Sequence, residues 1–547
     1  MDVMNKPMPI IASRNRNSYS ALTASAALIL LVVTNHAAGQ NGAPHVEISP
    51  ATMPRVATVD ERFQSYNIEM VEVTGGRFWK PYDPLKEATK STAGKKPSGK
   101  SSAEDPSRFQ YQSPIDLTNS RLRKLAAALG PAYVRVSGTW ANTTYFQNSD
   151  DPAPPTPPKG FNGVLTRQEW KGVIDFSHAV NAKIVTSFAI SAGTRDASGV
   201  WTPNLAQQWV AYTNSVGGNI SAAEFMNEPN IAMDGGGGAP KDYNAADFGR
   251  DIAVFHAFQK QSLPGMLFLG PGGSGEATPA TVAAIPALST ADLMMATGPI
   301  FDAFSYHFYG AVSSRCAAYG ADANTTLGAA LSEEWLGKTG IVEEFYSNLR
   351  DRFEPGKPLW LTETAQAACG GDRWASTYID SFRYLNQLGT LAKRGVQVSI
   401  HNTLAASDYA LLDTKTYTPR PNYWSAYIWR NLMGTTVLDP GPSPAPTLHL
   451  FAHCLRNHPG GVALLALNTS KTDAQSIQAP TASERYSLTA RQLTDRVVLL
   501  NESELKLGPD DALPDLHGTA THAGKVTFAP ASITFLAFPN ARNASCQ

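Results

Sequence analysis

The sequence predicts an α/β protein, a closed parallel (β/α)8 barrel (TIM-type) followed by a β-sandwich. Three observations carry this reading. Short β-rich runs alternate eight times with stretches of helical spacing. The alternation stops near Met433, after which only short strands remain. The chain has 547 residues, 43% hydrophobic and 17% charged, enough to bury a large core and to divide into more than one domain.

The barrel spans 62–433. Its strand runs are Gln64 to Val71, Ala132 to Ser137, Lys183 to Ile190, Ala223 to Asn227, Met266 to Gly270, Ala303 to Tyr309, Leu359 to Thr364 and Val396 to Thr403. Helical spacing fills the gaps, as in Ser120 to Leu129 and in Gln168 to Val180, where Trp170, Ile174 and Val180 share a face. Such a barrel needs about 250 residues, so the span leaves room for loop insertions. A doubly wound open sheet is the other architecture the alternation admits. Against it, the glycine-rich GPGGSG at Gly270 to Gly275 lacks the Lys-Ser/Thr of a phosphate loop and does not match GxGxxG; it is read as a turn from strand to helix. Lys86 to Ser107 and the proline-rich Asp150 to Gly160 break the rhythm and are read as loops. The first follows the first strand, so its lysines either meet an anionic substrate at the barrel mouth or stay solvated.

The β-sandwich spans 434–547. Val462 to Leu467 (VALLAL), Arg496 to Leu500 (RVVLL) and Ser532 to Phe538 (SITFLAF) are its strand runs, and the proline-rich Asp439 to Pro446 lies at its boundary. The segment His45 to Pro54 is a candidate early strand of the same domain.

Residues 1–38 read as a signal peptide, with Lys6, Arg14 and Arg16 before the apolar run Ala21 to Val33 and small residues at Ala37, Ala38 and Gly39. That run is shorter than the roughly 20 residues that span a bilayer. The expected product is secreted, or periplasmic in a double-membraned bacterium, with no stable membrane insertion once the signal is removed. Export permits disulfides, and Cys316, Cys369, Cys454 and Cys546 show neither a CxxC pair nor metal-ligand spacing. Position favours pairing Cys454 with Cys546. Sequons at Asn142, Asn219, Asn324, Asn468, Asn501 and Asn543 are acceptors only where the source glycosylates exported proteins. A formal net charge of -1 gives no field to gather nucleic acid, and the reading calls for no metal or organic cofactor.

In a (β/α)8 barrel the chemistry sits at the C-terminal ends of strands. Two acids fall there: Glu228 follows the fourth run, and Glu363 ends the seventh, three strand-helix units later. Converging carboxyls are what glycosidic cleavage requires, one to protonate the leaving oxygen and one to stabilise or attack the anomeric carbon. Asn227 offers an amide to a sugar hydroxyl, and Pro229 turns the chain after the acid. Glu224, four residues earlier, is read as scaffold. His307 and Tyr309 at the end of the sixth run either line a sugar or pack internally. Thr139 and Asn142 either touch sugar hydroxyls or face water.

Four segments in this order, GPAYVRVSGT at Gly130 to Thr139, FMNEPN at Phe225 to Asn230, WLTETAQAACGG at Trp360 to Gly371 and SDYALLD at Ser407 to Asp413, resemble glycoside hydrolase family 79. This is the heparanase and β-glucuronidase family of the retaining clan A glycosidases, and the similarity covers most of the mature chain. Asn-Glu-Pro alone is weak; four ordered segments are specific. The resemblance implies Glu228 as acid/base and Glu363 as nucleophile, with carboxyl groups about 5 to 5.5 Å apart, acting on β-linked glucuronic acid. It also implies that the backbone N–H groups at Cys369 and Gly370, with Tyr409, hold the glucuronate carboxylate, which a glycine-containing turn can do as an anion-binding concavity. Two departures stand out: Cys369-Gly370-Gly371 replaces a run of three glycines, and Glu69 stands in place of an aspartate. Joined to Cys316, Cys369 would brace the turn; two thiols are the alternative. The short proline-rich loop leaves little to excise, so a single chain without such maturation is expected. Exo release of terminal glucuronate and internal cleavage of a glucuronate-containing polysaccharide such as heparan sulfate remain as alternatives. So do a neutral-sugar β-glycosidase and a non-catalytic carbohydrate-binding barrel.

Overall fold

A computed structural model describes residues 46–82, 108–233, 237–277, 288–319 and 326–547. The proposed signal peptide, the Lys86 to Ser107 loop and the Asn324 sequon lie outside the described residues.

Eight parallel strands close the barrel: β1 (Gln64–Glu69), β2 (Ala132–Ser137), β3 (Ala182–Ser187), β4 (Ile220–Glu224), β5 (Leu267–Gly273), β6 (Ala303–Tyr309), β7 (Leu359–Ala365) and β8 (Val398–His401). Each pairs with its sequence neighbours, and β8 pairs back onto β1. The outward residues of the strands, such as Val134, Val136, Ile184, Phe304 and Leu361, join the main core with the surrounding helices. Ser120–Ala128 and Arg167–Ala179 are two of these helices; Thr166 caps the second, its hydroxyl accepting from the Glu169 N–H while Glu169 reaches back to the Thr166 N–H.

Several strand ends differ from the sequence reading: β1 stops at Glu69 because Met70 and Val71 begin a short helix (Met70–Thr74), β3 stops at Ser187 rather than Ile190, and β8 covers only Val398–His401 of the run 396–403. β4 stops at Glu224 instead of continuing to Asn227: after one last bond from the Phe188 N–H to the Phe225 carbonyl at 3.1 Å, the chain leaves the sheet and the Asn227 N–H turns to Asn142 Oδ1. β5 runs through the glycine-rich segment that reads as a turn. Side chains there would collide with the interior: a Cβ on Gly272 would sit 3.1 Å from Glu224 Oε1, and one on Gly273 would sit 2.2 Å from Thr290 Oγ1. The glycines let a strand pass close to buried polar groups.

The C-terminal part is an antiparallel sheet of nine strands, with Arg55–Thr58 at one edge paired to Met433–Leu438, and a two-stranded ribbon of Gln475–Ala479 and Gly524–Phe528. The run VALLAL is apolar at every position because Val462–Asn468 is buried on both faces. Val462, Leu464 and Ala466 pack with Ile477, Val526 and Phe528 of the ribbon, whereas Ala463, Leu465 and Leu467 join the barrel-side core. Before the first edge strand, Glu47 makes a single bridge to Gln478. Disulfides link Cys454 to Cys546 and Cys316 to Cys369. Among the described residues no helix is long and apolar enough to cross a membrane. Three sequon asparagines, Asn142, Asn468 and Asn543, are buried with their amides bonded to backbone carbonyls, so the folded chain offers no acceptor there.

Candidate active site

The interior of the barrel is layered by the two-residue period of its strands. At the lower level Tyr133, Val185, Ala222, Leu269, Ala303, Trp360, Val398 and Ile400 form an apolar plug. Further along the same strands come Arg135, Glu224, Ser305 and Thr362, all buried. Above them, toward the C-terminal mouth, stand Glu69, His307, Tyr309 and Glu363, with Asn402 just past β8.

Arg135 organises the middle layer. Its Nε and Nη2 donate to Glu224 Oε2 at 3.2 and 2.8 Å, Nη1 donates to Glu363 Oε2 at 2.9 Å, and Nη2 donates to Asn227 Oδ1 at 2.8 Å. The other Glu224 oxygen accepts from Ser305 Oγ at 2.8 Å and Thr362 Oγ1 at 2.7 Å. Burial works against a charged Glu224, but the Arg135 guanidinium, then His307 and the Thr362 hydroxyl, prevail and hold its carboxyl far below the usual range. Glu224 is thus a fully bonded scaffold carboxylate, as the sequence reading had it.

The segment after β4 presents Glu228. Asn142 clamps it from the 3-10 turn after β2: its amide donates to the carbonyls of Asn227 and Gly237 at 2.9 Å each, and its Oδ1 accepts from the Asn227 N–H at 2.8 Å. Glu228 itself has φ 48°, a left-handed conformation that costs a non-glycine residue of order 1 kcal/mol. The clamp and the following Pro229 hold that conformation. His307 Nδ1 lies 3.2 Å from Glu228 Oε1 and 3.8 Å from Glu363 Oε2. Tyr309 donates to Glu363 Oε1 at 2.6 Å. Asn402 Nδ2 lies 3.0 Å from Glu69 Oε1, 3.0 Å from the Tyr309 hydroxyl and 3.1 Å from the Tyr409 hydroxyl, joining the first, sixth and eighth units.

Burial alone would depress His307, but Glu363, Glu224 and Glu228 raise it to about 9. Arg135 Nη2 comes within 3.2 Å of His307 Nε2, which opposes protonation. Both hydrogens on that nitrogen, however, already serve Glu224 and Asn227, so His307 need not accept one and the three carboxylates decide its charge. The cationic ring in turn overrides burial at Glu228 and lowers that carboxyl. Glu69 and Glu72 behave oppositely. Burial pushes Glu69 well up, with Glu363 adding to the effect, and burial pushes Glu72 up to about 8. One Glu69 oxygen and the Asn402 carbonyl oxygen are buried without a protein partner.

One donor atom each from Glu228, His307 and Glu363 lie within 4.8 Å of one another, close enough to share a cation. The positive charge that such a cluster requires is already supplied by Arg135, 2.9 Å from Glu363.

Of the residues singled out from sequence, the structure joins Glu69, Asn227, Glu228, His307, Tyr309, Glu363 and Tyr409 in one bonded network. Cys369 and Gly370 stand in the turn after β7; a Cβ on the next residue, Gly371, would lie 3.0 Å from Tyr409 Cβ. Their N–H groups have no bonding partner among the described residues. Thr139 opens a short 3-10 turn, half-buried, with no side-chain bond to the network. Asn142 neither faces water nor lies open to a sugar; it is the buried clamp. Sequence reading missed Arg135 and Asn402. The signal for Arg135 was its place in AYVRVS, two residues from both Tyr133 and Ser137 on the inward face.

Two strand-end glutamates from β4 and β7 of a (β/α)8 barrel, supported by a trailing sheet domain, define the architecture shared with glycoside hydrolase barrels. The relatives are heparanase-like and β-glucuronidase proteins, at modest identity. Heparanase-like protein 1 of Arabidopsis thaliana is 26% identical over 65% of this chain and 65% of its own length. Hyaluronoglucuronidase of Hirudo nipponia is 26% identical over 79% of this chain and 92% of its own, and baicalin-β-D-glucuronidase of Scutellaria baicalensis 25% over 88% and 90%. The chain spans slightly less than two thirds of the Arabidopsis relative. A 4-O-α-L-rhamnosyl-β-D-glucuronidase structure from Fusarium oxysporum superposes with a TM-score of 0.60 at 13% identity, covering 90% of this chain and 99% of that one, a likeness of fold. No protein-family model matches the chain.

Proposed function

We propose that the protein is a retaining glycoside hydrolase that cleaves β-linked glucuronic acid by double displacement. The observation that carries this is the approach of one carboxylate oxygen of Glu228 to one of Glu363 within 4.8 Å at the barrel mouth. That approach is nearer the roughly 5–5.5 Å carboxyl separation of retaining enzymes than the roughly 6.5–9.5 Å of an inverting pair.

Glu363 is the nucleophile. Arg135 donates to one of its oxygens at 2.9 Å, and Tyr309 orients the other at 2.6 Å. Glu228 is the acid/base, and its proton is shared with His307 across 3.2 Å. In the free protein that proton resides on His307; a glycosidic oxygen arriving at Glu228 takes it through the carboxyl, and water later returns it by the same route. The Glu363–anomeric carbon bond forms as the bond to the leaving oxygen breaks, and water then hydrolyses the glycosyl-enzyme.

The glycone is assigned as glucuronate because Cys369 and Gly370 present two uncommitted peptide N–H groups in a turn whose next residue, Gly371, packs against Tyr409, suited to a carboxylate. The names of the relatives agree. Exo release is the reading adopted, with internal cleavage of glucuronate-containing polysaccharide as the alternative; product size on heparan sulfate separates them. The chain is further proposed to be exported after loss of residues 1–38.

Turnover of aryl β-glucuronide, β-glucoside and β-xyloside tests the assignment. The glucuronide is expected to be preferred, and Glu363→Gln is expected to lose turnover by about 10³-fold or more while staying folded. Equal turnover by the variant would remove Glu363 from the mechanism; preference for a neutral glycoside would remove glucuronate.

A further inference from the structure

The turn after β7 is built from three consecutive left-handed residues, Cys369 at φ 63°, Gly370 at 84° and Gly371 at 83°. Two of them must be glycine for space as well. A Cβ on Gly370 would sit 2.5 Å from Ser407 Oγ and 2.6 Å from Trp79 Cβ, and one on Gly371 would sit 3.0 Å from the Ala375 and Tyr409 side chains. Cys369 is the exception: it has a side chain, and it is the residue that carries the first of the two uncommitted N–H groups.

The carbonyls of the turn are all the more firmly held. Gly370 O accepts from Ser407 Oγ at 2.8 Å and from the Asp408 N–H at 3.1 Å. Gly371 O accepts from Ser313 Oγ at 2.8 Å and Arg315 Nη2 at 3.2 Å. At the start of the turn, Ala368 pairs with the strand-six loop, its N–H donating to Ala311 O at 2.9 Å and its carbonyl accepting from the Ser313 N–H at 3.0 Å. Between these anchors no hydrogen bond fixes Cys369; its side chain is fixed by the disulfide to buried Cys316, which follows β6. Val312, Ala368 and Trp79 pack around the bridge.

We propose that the Cys316–Cys369 disulfide is a positioning element for the anion-binding turn and thereby sets the affinity for a carboxylate-bearing sugar. It holds a non-glycine residue in a left-handed conformation that an unbridged side chain resists. It thereby fixes the stretch of backbone that carries the Cys369 and Gly370 N–H groups. The inference rests on the proposed reading of the substrate. Because a remote carboxylate contact is made equally in ground and transition states, its loss appears in KM and leaves kcat nearly unchanged.

The test compares two bridge-free pairs, Cys316→Ser with Cys369→Ser and Cys316→Ala with Cys369→Gly, against Cys454→Ser with Cys546→Ser, which opens the distant disulfide. KM and kcat for an aryl β-glucuronide and the melting temperature are measured in each. The serine pair is expected to raise KM about tenfold or more with kcat within about threefold. The glycine pair is expected to raise it less, since glycine adopts the required φ without penalty. Opening Cys454–Cys546 is expected to lower the melting temperature with KM unchanged. A bridge-free pair that keeps the wild-type KM overturns the inference, whatever its melting temperature, and the glycine pair carries the test if the serine pair fails to fold. Wild-type activity on the glucuronide is measured first. A wild type inactive on it defeats the substrate reading, whereas an active wild type with unmoved variants defeats this inference alone.

Discussion

Arg135→Met removes the charge at the centre of the barrel while keeping most of the stem volume. Arg135 is 1% exposed and makes four donor contacts of 2.8 to 3.2 Å to Glu224, Glu363 and Asn227. At about 4 Å and an effective dielectric near 20, each ion pair is worth about 4 kcal/mol before desolvation; breaking a buried pair by deleting one partner costs about 3–5 kcal/mol net. With an unfolding entropy of about 2.1 cal/mol/K per residue, a folded chain of roughly 500 residues loses about 1 °C per kcal/mol, so the melting temperature should fall by about 3–5 °C. The sign with pH follows from Glu224, whose carboxyl is lowered in the folded state. Its contribution is present above the unfolded carboxyl value and is lost only as pH falls far below it. Without Arg135 the burial of Glu224 is opposed only by His307 and the hydroxyl donors, and the loss moves up in pH. Activity should fall further than stability, because Glu363 loses the cation beside it: a transition-state loss of about 3–4 kcal/mol is a factor of about 10²–10³ in kcat. Thermal melts across pH 4–8 and turnover of the preferred aryl glycoside read both effects. A variant that melts within about 1 °C of wild type and retains kcat within about fivefold would refute the central role given to this guanidinium.

Burial raises Glu72 from 4.5 to about 8, so its favourable contribution is present below about pH 4.5 and is lost as pH rises through 8; Glu72→Gln should flatten the melting temperature over that window, and an unchanged slope would show that Glu72 does not titrate there. His307 is raised to about 9, so its contribution is complete below 6.5 and disappears as pH rises through 9; kcat/KM should fall on the same alkaline limb, and His307→Asn should lower kcat and remove the limb, which pH profiles of both proteins check. Gly138 has φ 89° and faces Glu69, with a Cβ there only 1.5 Å from Glu69 Oε2; Gly138→Ala should displace Glu69, cost about 1–3 kcal/mol and reduce turnover, whereas wild-type melting and kinetics would mean that the loop yields freely.

The strands were legible because each barrel strand carries apolar residues toward the helices, a pattern that Val134 and Val136 or Phe304 and Tyr306 display directly. The ends were less legible. Nothing in EFMNEPN marks Glu224 as the last sheet residue, since what holds the chain beyond it, the Asn142 amide on Asn227, comes from another strand-helix unit. Glu228 was identifiable by its type and its place at a strand end, but the clamp from Asn142 was not. Its bonds cross from the second unit to the fourth, and a sequon is what that asparagine looks like in sequence. Asn402 was hidden for the same reason, lying in a run read simply as strand while its partners belong to the first, sixth and eighth units.

Alternation was the unused signal, and its one failure is informative. Along β2 the inward residues are Tyr133, Arg135 and Ser137, and along β6 they are Ser305, His307 and Tyr309, each series stepping from the buried floor toward the mouth. Applied strictly to β7, the same rule sends Trp360, Thr362 and Thr364 inward and turns Glu363 away toward the helices. The structure breaks the rule there. Leu361 pairs with Tyr306 and Glu363 with His307, so Thr362 is an extra residue, a bulge in a parallel pair. Thr362 keeps its inward place, donating to Glu224 Oε1 at 2.7 Å, while Glu363 is swung inward beside it to receive Arg135 and Tyr309. Past the bulge the register has slipped by one, and Thr364 bonds outward to Phe308 O. A bulge changes which face a side chain occupies without changing the sequence pattern around it. The strand-end rule therefore leads to a carboxylate that the structure does place at the barrel mouth, where alternation would have turned it away, because a side chain's access to the mouth depends on reach from the strand end more than on the parity of the strand.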